Sequence, residues 1–576
     1  MMEVSNRNWH ETFFMASLAT IVGVVASYAS MGFLWAIDKL HLLFLGVKGS
    51  QLYAYLDNIS VWYLFILPVV GAVIVRLIIQ YGMPEGRNHG PADAIEAVRL
   101  GAGDMSIKAG IGSAVASIVS IGSGASVGRY GPAVHLGASL GSWLAQLLKL
   151  TAEHKRTLLA CGVAGAISAS FSAPLAGVVF AHEAVLGRFG GRSVMPIVIS
   201  SAVASAVVKM HAFDSILFLL PDMPRVADWE YFLFALVGVL GGALAVIYMS
   251  MMDHFSRLAQ LLPVSAMAKA VLGGMLLGGI VVVFPQTFGL GEQIIRDAFQ
   301  SEITANVLLM LVLAKLVATS VSFAAGFSGG IFGPAIFLGA MMGTVFGMGA
   351  QELVGITLSP AVYGVVGMGA VISRVIGAPI TTILIVFELT GSYSLMTAVM
   401  VAVVVAGAVT REFFNRSYFY HQLRVRGVEP ETSQIQQILS EMSVSAFISK
   451  PTVVFVADMT LTAARSAIVE SESAVSVVYV TDKNGKLIGQ INAAVLCSMY
   501  DEKMLEERIE NVLLRSSIVF TTTTNVYEAY LQSKCFKGES IPVTDSQTRQ
   551  LVGVVYVSDL VDACLQAFER FRMEER

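Results

Sequence analysis

Long stretches of this chain carry no Asp, Glu, Lys or Arg: Thr12–Ile37, Tyr231–Met252, Ala270–Gly291, Leu316–Gln351 and Leu389–Thr410. Each is longer than the roughly 20 apolar residues that cross a bilayer core. Within hydrocarbon every backbone N–H and C=O must be satisfied inside the segment, so such stretches fold as helices. The chain is therefore an integral membrane protein. Its balance of 55% hydrophobic against 14% charged residues agrees, since soluble domains carry about 25% charged residues. That composition excludes a soluble enzyme, and the expectation is that the chain is not an enzyme and has no catalytic residues. A net charge of −4 gives no reason to invoke nucleic acid.

Composition changes sharply near Arg411. Arg411, Arg416, Arg424 and Arg426 cluster behind the last apolar stretch and assign that end to the cytosol. The expected organisation is a membrane domain over 1–423, a linker over 424–444 and two smaller units over 445–506 and 507–576. The four cysteines, Cys161, Cys497, Cys535 and Cys564, have neither metal-type nor disulfide-type spacing, and three of them lie in the polar tail, which suits a reducing cytosol. No metal site is expected. The polar N-terminus runs straight into an apolar span without a small-residue cleavage site, which reads as an uncleaved first helix.

The membrane part repeats itself. Gly131-Pro-Ala-Val-His-Leu-Gly-Ala-Ser-Leu-Gly141 and Gly333-Pro-Ala-Ile-Phe-Leu-Gly-Ala-Met-Met-Gly343 agree at seven of eleven positions. Each is followed by an Ala-Pro start, at Ala173-Pro174 and Ala378-Pro379, and then by an acidic residue, Glu183 or Glu388. Two homologous halves follow, at about 12–220 and 228–423. In transporters, inverted repeats set their shared binding site near the membrane midplane.

Conducting an anion through such a bundle poses a specific problem. A full Lys or Arg ligand would hold it too tightly to leave, whereas backbone N–H groups at a helix start supply about half a positive charge. Helices that begin inside the membrane, preceded by Gly and entered through Pro, offer that site. The candidates are Asn88-His-Gly-Pro-Ala92, Gly122-Ser-Gly124 with Gly128-Arg-Tyr-Gly-Pro132, and Gly329-Gly-Ile-Phe-Gly-Pro334.

With these motifs the chain resembles the CLC family of chloride channels and proton-coupled chloride exchangers over nearly its whole length. Gly329–Pro334 resembles the family's GIFxP segment, Gly128–His135 its GKEGPxxH segment, and Phe171–Glu183 the helix bearing PLAG. The resemblance implies an all-α polytopic membrane protein with an inverted internal repeat, plus a C-terminal α+β pair of cystathionine-β-synthase (CBS) units. It also implies a homodimer with one pore per subunit. The implied pore residues are His89, Gly90, Gly128, Arg129, Tyr130, Gly131, Gly330, Ile331, Phe332, Gly333 and Phe419, with Tyr420 if the last helix is shifted by one residue.

The departures point to function. Tyr130 stands at the family's gating glutamate, Ala184 at the inner proton-transfer glutamate of its exchangers, and His89 at the serine of GSGIP. A tyrosine phenol titrates near 10, and alanine carries no proton. The expected function is a passive chloride-type anion channel with no proton coupling. One alternative is an exchanger working through Asp93, Glu96 or Glu183; another is a nucleotide-sensing protein with a low-flux pore. Glu183 and Glu388 are expected to hold helix ends, His135 to pack, and His89 to be a hydrogen-bonded break residue that can also titrate near neutral pH. Arg129 reads either as an anion-steering charge or as half of an ion pair at a dimer or loop surface. In the tail, Gly553-Val-Val-Tyr-Val-Ser-Asp559 keeps the Ser558 and Asp559 of the nucleotide-binding run of CBS units. Adenine nucleotide is thus a possible ligand, and no other cofactor is expected. The expected location is the bacterial inner membrane with the CBS units in the cytosol.

Overall fold

The computed structural model describes residues 2–47, 59–187, 189–211, 226–356, 358–411, 413, 417–428, 436, 439–440, 442–451, 453–470, 476–498, 506–514, 516, 518–534 and 536–575. Arg416, Cys535 and much of the expected linker lie outside these residues. The chain divides into two compact units, Met1–Pro430 and Glu431–Arg576.

The first unit is all helical. Its helices are α1 (Met2–Leu45), α2 (Val61–Leu77), α3 (Pro91–Arg99), α4 (Ile107–Gly122), α5 (Tyr130–Leu147), α6 (Ala152–Phe171), α7 (Pro174–Phe180), α8 (Gly191–Met210) and α9 (Glu230–Leu261). There follow α10 (Ala266–Val283), α11 (Glu292–Phe299), α12 (Ala305–Ala324), α13 (Phe332–Val354), α14 (Pro360–Ile376), α15 (Pro379–Thr390), α16 (Tyr393–Thr410) and α17 (Tyr418–Val425). Among the described residues, eight helices are long and apolar enough to cross a membrane. Four more are apolar but shorter: α4, α14, α15, and α7 with its wide-turn extension to Leu186.

Each half is built around one helix that is buried nearly all round. In α6 every residue from Thr157 to Phe171 is buried, and in α14 all but Arg374 are. A helix with no polar face cannot lie at a water boundary, so these two form the cores of their halves. Their glycines let backbones approach closely: Gly162 of α6 meets Gly137 of α5, and Gly367 of α14 meets Gly339 of α13. Small residues at such crossings are how membrane helices gain packing contact.

The second unit repeats one motif twice. β1 (Val454–Val456), α18 (Leu461–Val469), β2 (Val477–Thr481), β3 (Leu487–Asn492) and α19 (Ala493–Ser498) make the first copy. β4 (Phe520–Thr521), α20 (Val526–Ser533), β5 (Ser540–Thr544), β6 (Leu551–Tyr556) and α21 (Val557–Glu575) make the second. In each sheet the first strand runs parallel to the second, and the second antiparallel to the third. The β2–β3 turn forms because Asp482 Oδ1 accepts from the N–H groups of Asn484 and Lys486, while Gly485 takes φ +79°.

Candidate functional site

The two halves meet at their broken segments. Gly128 N–H donates to Gly330 C=O and Gly330 N–H to Gly128 C=O, both at 2.7 Å, as an antiparallel bridge. Ser126 N–H donates to Ser322 Oγ at 3.2 Å, and Ser328 N–H to Ser120 Oγ at 3.0 Å. Ser126 Oγ pairs with Thr319 Oγ1 at 2.9 Å, and Ser117 Oγ with Ser328 Oγ at 3.0 Å. Equivalent residues in these pairs stand 202 positions apart: Ser117 with Thr319, Ser120 with Ser322, Ser126 with Ser328 and Gly128 with Gly330. The backbone reverses before both breaks at Gly124 (φ +95°) and Gly326 (φ +87°), which are also 202 apart. Only glycine adopts that conformation without strain. Equivalent residues that exchange identical bonds through an antiparallel bridge are related by a local two-fold axis. The two halves are therefore related by a local two-fold axis that passes between Gly128 and Gly330, the relation an inverted repeat requires.

This bridge consumes two groups expected in the pore. The N–H groups of Gly128 and Gly330 each donate to the other residue's carbonyl and are not free for an anion. Gly90 differs from expectation in the same way, because Asp93 Oδ2 caps its N–H at 2.7 Å. Several other helix starts in this unit are capped by a side chain, as Ser265 caps α10 and Ser392 caps α16. The starts of α5 and α13 have no side-chain cap. Among the described residues, the N–H groups of Arg129, Tyr130, Gly131, Ile331, Phe332 and Gly333 have no hydrogen-bond partner. Orphan donors at a helix start are a ready anion site. Here the two-fold brings two such sets close together, since Gly131 packs on Gly330 and Gly333 on Gly128.

Aromatic rings line these starts. Tyr130 is buried and stacks on Phe171 with centroids 4.0 Å apart, while Phe332 lies 6.2 Å from it. Phe419 and Phe180 pack on Phe332 at 6.3 and 5.9 Å. Tyr248 donates its hydroxyl to Ile331 C=O at 3.2 Å. Tyr420 is not in this group; its ring carries the Arg99 guanidinium at 5.0 Å. Arg129 lies over the Tyr130 ring, donates to its hydroxyl at 3.4 Å and pairs with Glu292 at 3.2 Å. That ion pair forms within the chain, because α11 brings Glu292 to the start of α5.

Lys315 was not singled out from sequence. It is fully buried and donates to the carbonyls of Thr287 and Gly289 at 3.1 and 2.8 Å. Its signal was available, since it is the single charged residue of the apolar α12 and a charge in a membrane span reads as functional by default.

Glu183 and Glu388 hold helix ends, and they do so reciprocally. Glu183 accepts from the N–H groups of Ile380 and Thr381 at 3.0 and 2.8 Å and from the Thr381 hydroxyl at 2.7 Å. Glu388 accepts from Leu175 and Ala176 N–H at 2.9 and 2.8 Å. Each half thus caps the Ala-Pro helix of the other, and both carboxylates are bound to backbone donors.

His89 lies just before α3. Its Nε2 is 3.3 Å from Pro84 C=O and its Nδ1 is 3.4 Å from Asp93 Oδ1. These contacts turn both nitrogens toward oxygen atoms of its own loop and helix, not toward an anion. His135 of α5 is buried and stacks on His89 with centroids 5.9 Å apart. Asp93 also pairs with Arg87 at 2.5 Å and Arg426 at 3.1 Å. In the second unit a cavity of about 580 Å³ is lined by residues of both copies, including Gln490, Asn492, Lys537 and Ser540. Ser558 and Asp559, at the start of α21, do not line it.

The sequence pattern of the family described as voltage gated chloride channel matches residues 71–411. The voltage-gated ClC-type chloride channel ClcB of Escherichia coli O9:H4 is 30% identical over 419 residues, covering 70% of this chain and 97% of that protein. A slow cyanobacterial Cl−/H+ antiporter shares the fold with a TM-score of 0.64 at 21% identity, over 72% of this chain and 97% of its own. A eukaryotic CLC transporter shares it with a TM-score of 0.61 at 20% identity, over 95% of this chain and 97% of its own.

Proposed function

For a chain that belongs to the voltage gated chloride channel family, we propose passive flow of chloride or a similar small anion past the uncapped starts of α5 and α13. The observation that carries this reading is the set of six N–H groups at those two paired starts that have no partner among the described residues, whereas Glu388 and Glu183 cap the Ala-Pro starts of α7 and α15 and Ser265 and Ser392 cap the starts of α10 and α16. An anion held there meets partial charges, which bind it and let it leave.

Flow without proton coupling rests on side-chain chemistry. The residue at the start of α5 is Tyr130, not a carboxylic acid; Ala184 carries no proton; and the neighbouring Glu183 is occupied by three hydrogen bonds. Purified protein in vesicles tests the reading. Chloride efflux should dissipate its gradient with no proton movement, and a chloride gradient that drives protons uphill overturns it. That result would favour exchange through Asp93 or Glu96, which share a cavity with His89. The working form is a homodimer in the bacterial inner membrane with the second unit in the cytosol, as the resemblance implies. Cross-linking in native membranes and protease access from each side check those assignments. Adenine nucleotide at the second unit is proposed for the cavity lined by Gln490, Asn492 and Ser540, rather than for Ser558 and Asp559 alone. Titration of the protein with ATP, ADP and AMP decides it.

A further inference from the structure

A cavity of about 360 Å³ lies behind the start of α3, lined by Pro84, Glu85, Arg87, His89, Asp93 and His135 among others. Its rim carries exposed carboxylates, Glu85 and Asp104. One ring nitrogen each of His89 and His135 and one oxygen of Asp93 lie within 4.8 Å of one another. We propose that these three side chains form a binding site for a divalent transition-metal ion of the zinc class.

Three observations carry this. First, both nitrogens of His89 face oxygen acceptors, Pro84 C=O at 3.3 Å and Asp93 Oδ1 at 3.4 Å. A neutral imidazole has one N–H, so one of these contacts sets a lone pair against a lone pair. Either a second proton or a cation resolves it. Second, His135 Nδ1 is buried with no partner among the described residues, in a side chain that is 99% buried. A buried unsatisfied ring nitrogen costs about 1–3 kcal/mol unless something binds it. Third, one ligand pair already has the spacing of a metal site, and the rest of the set, within 4.8 Å, has to close by at most about 1.5 Å. Ligand atoms around a tetrahedral zinc stand roughly 3.3 Å apart, given bonds of about 2.0–2.2 Å. The His89–Asp93 pair already stands at 3.4 Å.

Two imidazoles and a carboxylate leave a fourth position open, which water or the conducted anion can fill. Imidazole donors select zinc, copper and nickel over magnesium or calcium. Arg87 and Arg426 both lie on Asp93 Oδ1, so a bound dication has to displace a guanidinium from that oxygen; Arg87 keeps Glu85 as a second partner, and Lys155 pairs with Asp104 at 2.8 Å. The cysteine spacing gave no hint of it, because the ligands are histidines and an aspartate from α3, its preceding loop and α5.

Binding would tie the start of α3 to α5. Pro91 of α3 packs toward Gly131, where an added Cβ would stand 3.6 Å from Pro91 Cδ. Occupancy should therefore lower anion flux, a consequence that rests on the pore reading above. The test uses full-length protein stripped by a chelator, titrated with zinc chloride and examined by zinc X-ray absorption. One zinc per chain is expected, in a shell of two imidazoles and oxygen without sulfur, with affinity reduced about tenfold or more in both His89→Ser and His135→Asn. No zinc uptake, a sulfur-containing shell, or wild-type affinity in both variants overturns the site. The absorption spectrum of wild type decides the matter even if a variant does not fold. In vesicles, zinc should slow wild-type flux and leave the variants' flux unchanged. Zinc bound in this shell without slowing upholds the site and overturns the placement of α3 beside the anion path.

Discussion

Replacing Gly128 or Gly330 with alanine should separate the two halves at their junction. At Gly128 an added Cβ would stand 2.6 Å from Gly333 N and 2.9 Å from Gly330 O; at Gly330 it would stand 2.7 Å from Gly131 N and 3.2 Å from Gly128 O. All are backbone atoms that cannot turn aside, and ordinary contact begins near 3.4 Å. The breaks must move apart by roughly 0.5–1 Å, which stretches the paired 2.7 Å bonds to or past the usual limit of about 3.2 Å. Overpacking costs about 1–3 kcal/mol, and each buried N–H left without a partner about 1–3 kcal/mol. Each single substitution should then cost about 3–9 kcal/mol, the overpacking plus two unpartnered N–H groups. Both act on one bridge, so its broken bonds count once in the double substitution, which should cost less than the sum of the singles by at least about 2 kcal/mol. The assay is denaturant unfolding of the four proteins in micelles, with vesicle flux alongside. Additive costs, or singles within about 0.5 kcal/mol of wild type, would refute the argument that this bridge joins the repeats.

Other predictions follow from single contacts. Glu183→Gln removes charge from an acceptor of three hydrogen bonds and should destabilise by about 2–3 kcal/mol, while the ratio of protons to chloride carried in vesicles stays unchanged. A shifted ratio would make Glu183 a proton carrier. Tyr130→Ala opens the space of a ring stacked on Phe171 and should raise flux or loosen selectivity among anions. Tyr130→Phe keeps the stack and isolates the hydroxyl, so wild-type flux in Tyr130→Phe would remove the hydroxyl from the anion path. In the second unit, the Asp545 carboxylate accepts from the N–H groups of Gln547 and Thr548 and from the Thr548 hydroxyl, which lowers its pKa. A depressed acid stabilises the fold above its unfolded pKa of about 3.9 and loses that contribution as pH falls through the folded value. Hydrogen exchange at Ser540–Tyr556, corrected for intrinsic rates, should rise between about pH 4 and 2 in wild type and less so in Asp545→Asn.

Much of this architecture is written locally. Apolar length sets the membrane helices, because a bilayer admits no other use of such a stretch. The matched Gly-Pro and Ala-Pro blocks set the repeat and the positions where helices start, since glycine and proline fix backbone geometry within a residue or two. Contacts between distant residues are not local, and only packing decided them. That Gly128 and Gly330 use their N–H groups on each other, leaving those of Tyr130 and Phe332 unpartnered, depends on two segments 202 residues apart meeting on an axis. The partners of Glu183 and Glu388 follow from the same axis. The choice between Phe419 and Tyr420 was one residue wide in sequence, but successive helical residues point about 100° apart, so one ring meets Phe332 and the other Arg99. The sequence by itself determined which segments are helices and where they begin; the tertiary structure decided which of their exposed donors were left unpaired, because a hydrogen bond is settled by which atoms come within reach.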